Sequence, residues 1–211
     1  MTARALLAAA ALSFAAAANA VPIDSVGDTF SVSFDGKVAT KPVAGLTAAA
    51  TFLVTEFDGA AGRVVLEIRL RNTTDPSLFR QARVSALGFD VDADLSSASA
   101  SGLLDHAVLG GQFPNQFGPV DVCVIGNPNN CSGGRNAGAK LGESGVVTLT
   151  LTFSGPVTSV DLTNFGVRYQ TVEPVCTFVD DSGTGHGTVP EPRMLALLGA
   201  AGLAWLGRRR R

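Results

Sequence analysis

Between residues 28 and 172, apolar and polar side chains alternate in short runs separated by Gly, Pro, Asn and Asp. Residues 28–34 place Phe30, Val32 and Phe34 on one face and Thr29, Ser31 and Ser33 on the other, the period-2 signature of a half-buried strand. Residues 48–57, carrying Phe52 and Val54, continue it. After the turn Asp58-Gly59-Ala60-Ala61-Gly62, residues 63–71 send Val64, Leu66, Ile68 and Leu70 one way and Arg63, Glu67, Arg69 and Arg71 the other. These two runs are expected to pair as a hairpin, and the turn chemistry of Asn72-Thr73-Thr74-Asp75-Pro76 ends its second strand. Further strands are predicted over 84–91, 120–125 and 146–153, the last alternating Val147, Leu149, Leu151 and Phe153 with threonines. One or two more fall within 159–172, where Phe165, Val167 and Tyr169 share a face.

The segments between read as loops. Residues 96–102 are small and polar, 103–109 fit one short helical turn, and 110–119 form a Gly/Pro/Asn loop pinned by Phe113 and Phe117. Residues 126–142 read as a long Gly/Asn-rich loop, and the Ser-Gly-Thr-Gly-His-Gly-Thr run at 182–188 as a flexible linker. No long amphipathic helix is predicted between residues 21 and 188. Seven to nine short strands with Gly/Pro turns argue for an all-β domain over 21–181, a single β-sandwich of jelly-roll or Ig-like topology, with a closed barrel as the alternative.

Both chain ends carry a different pattern. Residues 1–20 run from a single positive charge at Arg4 through an Ala/Leu-rich stretch to Ala18-Asn19-Ala20, the order of a secretory signal peptide with an A-x-A exit before Val21. Residues 189–211 run from Val189-Pro190-Glu191-Pro192 through an uncharged apolar stretch, 194–207, to four arginines at 208–211. As a helix that stretch is about 21 Å long, short against the ~30 Å of bilayer hydrocarbon. Trp205 and the arginines nevertheless suit an interface, and the Arg cluster is expected to stay cytoplasmic. Signal helix and short transmembrane helix are thus expected to flank the domain.

The C-terminal order of Pro190-Glu191-Pro192, a short Leu/Ala/Gly helix and a terminal Arg cluster resembles the PEP-CTERM sorting signal of Gram-negative bacteria. The resemblance covers about a tenth of the chain. It implies that an exosortase, a membrane-embedded cysteine transpeptidase, removes the tail and passes the protein to the cell surface. Arg193-Met194 departs from the small residues that more often precede the apolar run in that family.

Setting aside Arg4, Arg193, Arg208 to Arg211 and Glu191 leaves 10 basic and 17 acidic residues, a body of about −7. Such a body is unsuited to nucleic acid, which needs clustered Lys and Arg. In an exported chain thiols meet an oxidising environment. Cys123 and Cys131 flank Gly126-Asn127-Pro128-Asn129-Asn130, a turn-rich loop that favours their pairing; Cys176 is left free or paired between chains. Zinc would need a fourth ligand, and His106 and His186 stand at no ligand-like spacing. The cysteine pair, Gly133-Gly134 and the late Arg168-Tyr169-Gln170 are also similar to the small PEP-CTERM proteins called the cistern family.

The best candidate for a metal site is Asp90-x-Asp92-x-Asp94. On a strand these carboxylates share a face and repel, which Ca²⁺ would relieve. An EF-hand loop would need Gly and Glu where Leu95 and Ser101 stand, and the ordinary reading is a solvated strand end. Nucleophilic catalysis lacks a G-x-S-x-G elbow, and a glycosidase carboxylate pair can be recognised only in three dimensions. Asn72-Thr73-Thr74 and Asn130-Cys131-Ser132 match the glycosylation acceptor pattern but read as turn composition. The expectation is an exported, non-enzymatic surface or matrix protein of the outer envelope, with exosortase, membrane and, by resemblance, exopolysaccharide as partners. A carbohydrate- or Ca²⁺-binding module and a small envelope hydrolase are the rivals.

Overall fold

The computed structural model describes residues 20–126, 131–132, 136–176 and 181–190. Among them every regular element is a strand, and all pair antiparallel within one sheet. The first half of the chain supplies β1 (Val21–Ile23), β2 (Thr29–Val38), β3 (Lys41–Asp58), β4 (Arg63–Asn72), β5 (Phe79–Val91) and β6 (Leu95–Gly102). The second supplies β7 (His106–Phe113), β8 (Gly118–Ile125), β9 (Ala139–Lys140), β10 (Ser144–Phe153), β11 (Val160–Pro174) and β12 (Asp181–Thr188). The main path through the sheet runs β6-β10-β4-β3-β2-β12-β11-β5-β8-β7, with β1 on β11 and β9 on β5.

The alternation in the sequence becomes burial. In β4, Val64, Leu66, Ile68 and Leu70 are fully buried, and they face Phe57, Val54, Phe52 and Ala50 across the predicted hairpin. One distance decides how the sheet is shaped. β3 and β5 are separated by β2, β12 and β11, which in a flat sheet would hold them about 19 Å apart at ~4.8 Å per strand. Yet the rings of Phe52 on β3 and Phe89 on β5 lie 6.0 Å apart, and Phe165 on β11 touches both, at 5.6 and 5.9 Å. The sheet therefore folds back over itself and closes around an aromatic centre that Phe30 completes by stacking on Phe52 at 4.7 Å. Such edge-to-face and offset pairs contribute about 0.5–1.5 kcal/mol each beyond burial. The two ends of the path, β6 and β7, are consecutive in the chain and come close in space.

Three expectations are corrected. Residues 96–102 are not a loop but lie in β6, an exposed strand laid along β10 with Ala98 opposite Leu151 and Ala100 opposite Leu149. Residues 103–109 hold no helical turn: β7 starts at His106 and forms a hairpin with β8, and the expected aromatic loop shrinks to the turn where Phe113 and Phe117 meet at 5.2 Å. The largest correction concerns 182–188. That run is no linker; it is β12, hydrogen-bonded between β2 and β11 in the middle of the path, so the domain extends past residue 181 to Thr188.

The physical reason lies in the alternating glycines of β12. A Cβ at Gly183 would meet the Lys37 carbonyl oxygen at 2.5 Å, and one at Gly187 would meet Phe165 Cβ and Val32 Cγ1 at 2.6 Å. None of Gly183, Gly185 and Gly187 has a left-handed φ. Glycine is present here for space rather than for backbone freedom.

Among the described residues no helix is long and apolar enough to cross a membrane. The expected signal helix, the 194–207 helix, Glu191-Pro192 and the Arg cluster lie outside the described residues, as does Ala18.

Candidate functional site

The predicted disulfide is present. Cys123 on β8 and Cys131 are bonded, with Cα atoms 5.9 Å apart and both residues fully buried. Gly111 on β7 makes room for it, since a Cβ there would collide with the Cys131 sulfur. Cys176 is a free, exposed thiol. Beside the disulfide, Ser132 presents its carbonyl to two side chains of β11: Arg168 Nε donates at 3.1 Å and Gln170 Nε2 at 2.6 Å. Arg168 also donates through Nη1 to the Gly183 carbonyl at 2.8 Å, tying β12 to the disulfide loop. Burial lowers its guanidinium to about 10, with Asp181 opposing. The neighbouring Tyr169 hydroxyl is buried without a hydrogen-bond partner, and burial, then Asp35, pushes it up. The expected late strand motif thus reads as a structural brace.

The three aspartates do not converge on a point. Asp90 Oδ1 accepts the Asp121 N–H of β8 at 3.1 Å, while Oδ2 accepts Asn164 Nδ2 of β11 at 2.9 Å. Asp121 returns the contact, accepting the Val91 N–H at 3.0 Å. Asp92 Oδ1 accepts the Asp161 N–H at 2.8 Å, and Asp94 engages Ser154 through its backbone carbonyl at 2.8 Å. Asp90 and Asp92 therefore pin the end of β5 to its neighbours. Among the described residues no group of three His, Cys, Asp or Glu side chains is placed to hold a metal ion.

The histidines are also spread apart. His106 Nδ1 contacts Asp105 Oδ1 at 2.7 Å. His186 on β12 stacks on Phe117 at 4.3 Å, and burial, then Lys37, lowers its pKa against the opposing pull of Asp35. Asn72, in the glycosylation-like triplet, is fully buried. Its amide donates to the Ala82 and Ala139 carbonyls and accepts the Thr74 N–H, so it serves the turn.

No protein-family model matches this chain, and no curated protein matches it in sequence.

Two places stand out. The first is where the ends of the domain meet. β1 opens at Val21, paired with Leu162 of β11, and β12 closes at Thr188, paired with Ser33 of β2. Ala20, Val21, Pro22, Val189 and Pro190 share one shallow cavity of about 390 Å³ with Thr29, Phe30 and Ser31. Ala20 is exposed, and Val189 packs against the core. Of the predicted sorting residues, Val189 and Pro190 therefore sit beside the predicted signal exit at Ala20.

The second is a cleft of about 430 Å³ built by β5, β9 with its following turn, and β11. β5 supplies Arg80, Gln81 and Arg83; β9 and its turn supply Lys140, Leu141 and Glu143; β11 supplies Thr171. Register assembles them: Arg83 pairs with Lys140 on one side and with Gln170 on the other. Between Gln170 and Glu173 the β11 register slips against β5, and in that slip Thr171 takes a left-handed φ of 54°. Bulges of this kind re-aim side chains and gather at functional sites. The cleft is not legible in the sequence, because no spacing along the chain links residues near 80, 140 and 171.

Proposed function

We propose that the protein is an exported, non-enzymatic component of the cell surface or extracellular matrix, processed at both ends and sorted by an exosortase. In this reading residues 1–20 are removed as a signal peptide. The tail beginning at Val189-Pro190 carries the sorting signal and anchors the chain transiently in the inner membrane. The closed-over sheet is a β-sandwich of jelly-roll or Ig-like type, one layer running from β6 to β2 and the other from β12 to β7.

One observation carries the reading. Among the described residues the first paired one, Val21, directly follows the predicted signal exit, and the last, Thr188, directly precedes the sorting motif. A signal exit read from the sequence pattern and a sorting motif implied by the family resemblance coincide with the two limits of backbone pairing among the described residues. Both ends also leave the domain at the same place, beside Phe30. Cutting at either point would leave every strand pair among the described residues intact.

The disulfide supports an oxidising destination, where such bonds persist. The second reading, a surface binding module, is favoured by the basic cleft.

Intact-mass analysis of the protein recovered from the cell surface tests the proposal. The expected species begins at Val21, lacks the terminal arginines and carries one intramolecular disulfide. A cytosolic species retaining residues 1–20 and Arg208 to Arg211 would overturn it.

A further inference from the structure

We propose that the cleft between β5, β9 and β11 binds a carboxylate, carried either by an acidic sugar or by a small organic acid. The site stands on its own geometry and does not depend on where the protein is sorted.

Charge is the first ground. In a body of about −7, Arg80, Arg83 and Lys140 gather in a single cleft. Arg80 is already engaged: Nη1 lies 3.6 Å from Glu173 Oε1, and Nη2 donates to the Val175 carbonyl at 3.0 Å. Gln81 Nε2 donates to the same Glu173 at 3.2 Å. Arg83 is different. Its guanidinium makes one long hydrogen bond, Nη1 to the Asn136 carbonyl at 3.4 Å, and its Nε is buried with no partner. A buried donor left unpaired is costly, and a guanidinium fork matches the two oxygens of a carboxylate.

The second ground selects the kind of anion. Glu143 also lines the cleft, held by the Lys140 N–H at 3.0 Å and facing Lys140 Nζ at 3.9 Å. A carboxylate already present opposes the two charges that a dianionic phosphate concentrates on one group more strongly than the single charge of one carboxylate group. Leu141 and the Arg stems add apolar surface, and the volume falls at the lower end of small-ligand sites. Backbone strain is the third ground. A β-branched residue at positive φ costs about 1–3 kcal/mol and persists where the surrounding structure imposes it. Thr171 is held so at the cleft wall.

Calorimetric titration of the full-length chain in detergent provides the test, using trigalacturonate, neutral galactotriose, sodium succinate and inorganic phosphate. Trigalacturonate or succinate is expected to bind, more weakly as salt rises. The tighter of the two identifies the source, sugar acid or free acid. Arg83→Gln is expected to lose about ten- to hundredfold in affinity, Arg83→Lys to lose less, and Lys140→Gln to weaken binding at an unchanged melting temperature. If Arg83→Gln does not fold, the exposed Lys140→Gln carries the test. Galactotriose or phosphate binding as tightly as both carboxylates would overturn the proposal. So would failure of either carboxylate to bind, or Arg83→Gln and Lys140→Gln both titrating like the parent.

Discussion

Replacing Gly185 by alanine tests whether β12 is a packed central strand. A Cβ there would run into the Asp35 carbonyl oxygen of β2 while lying 3.0 Å from Tyr169 Cε2 and 3.0 Å from Val167 Cγ2. The two side chains belong to β11 and are fully buried, so neither can swing into solvent. The strain falls on the backbone, and β2 must move away from β12. Overpacking of this kind costs about 1–3 kcal/mol. Weakening about two ladder hydrogen bonds adds about 1 kcal/mol each. Relief from glycine in a strand returns about 0.5–1 kcal/mol. The net expectation is a loss of about 2–4 kcal/mol, or about 5–15 °C in Tm for a domain of this size. Gly155→Ala is the control, since nothing lies within 4 Å of its Cβ position and its φ is not left-handed. It should gain about 0.4–1 kcal/mol through the unfolded chain. Urea denaturation of the oxidised protein reads both. Gly185→Ala unfolding within about 0.5 kcal/mol of the parent would refute the packing argument, since surface changes fall in that range.

Two further outcomes follow from the same geometry. Cys123→Ser/Cys131→Ser, or reductant, should cost about 2–3 kcal/mol by the entropy of the short closed loop; an unchanged denaturation midpoint would mean that the bond constrains nothing. His186 has a folded pKa below the ordinary imidazole value, so the unfolded chain binds its proton more readily. Its contribution is fully present above about pH 6.5 and is lost as pH falls through the folded pKa. NMR titration should place its midpoint below that of a model imidazole, and a midpoint above it would reverse the sign.

The strands that the sequence predicts correctly are those whose side chains show which face is buried. In β4, Val64, Leu66, Ile68 and Leu70 alternate with charge, and in β10 Val147, Leu149, Leu151 and Phe153 alternate with threonine, because each strand has one dry and one wet face. β6 gave no such sign: its Ser and Ala residues sit at the margin of the sheet, where there is little core to cover. β12 hid for the opposite reason. It is so crowded that only hydrogen fits at three alternating positions, and a composition typical of loops results. The Cys123–Cys131 bond was legible because its loop is short. The basic cleft was not, because Arg83, Lys140 and Thr171 meet only through strand register, and no local pattern encodes that.

The position of β12 also bears on the timetable of folding. Ser33 and Thr188 are partners on adjacent strands, with the Thr188 hydroxyl donating to the Ser33 carbonyl, yet nearly the whole domain lies between them. The ribosome makes β2 well before β12, so β2 must wait with one edge unsatisfied until β12 arrives. Non-local closures of this kind are slow. Until β12 emerges the two halves of the main path have no strand to join them, so the sheet closes as a single late event rather than growing strand by strand.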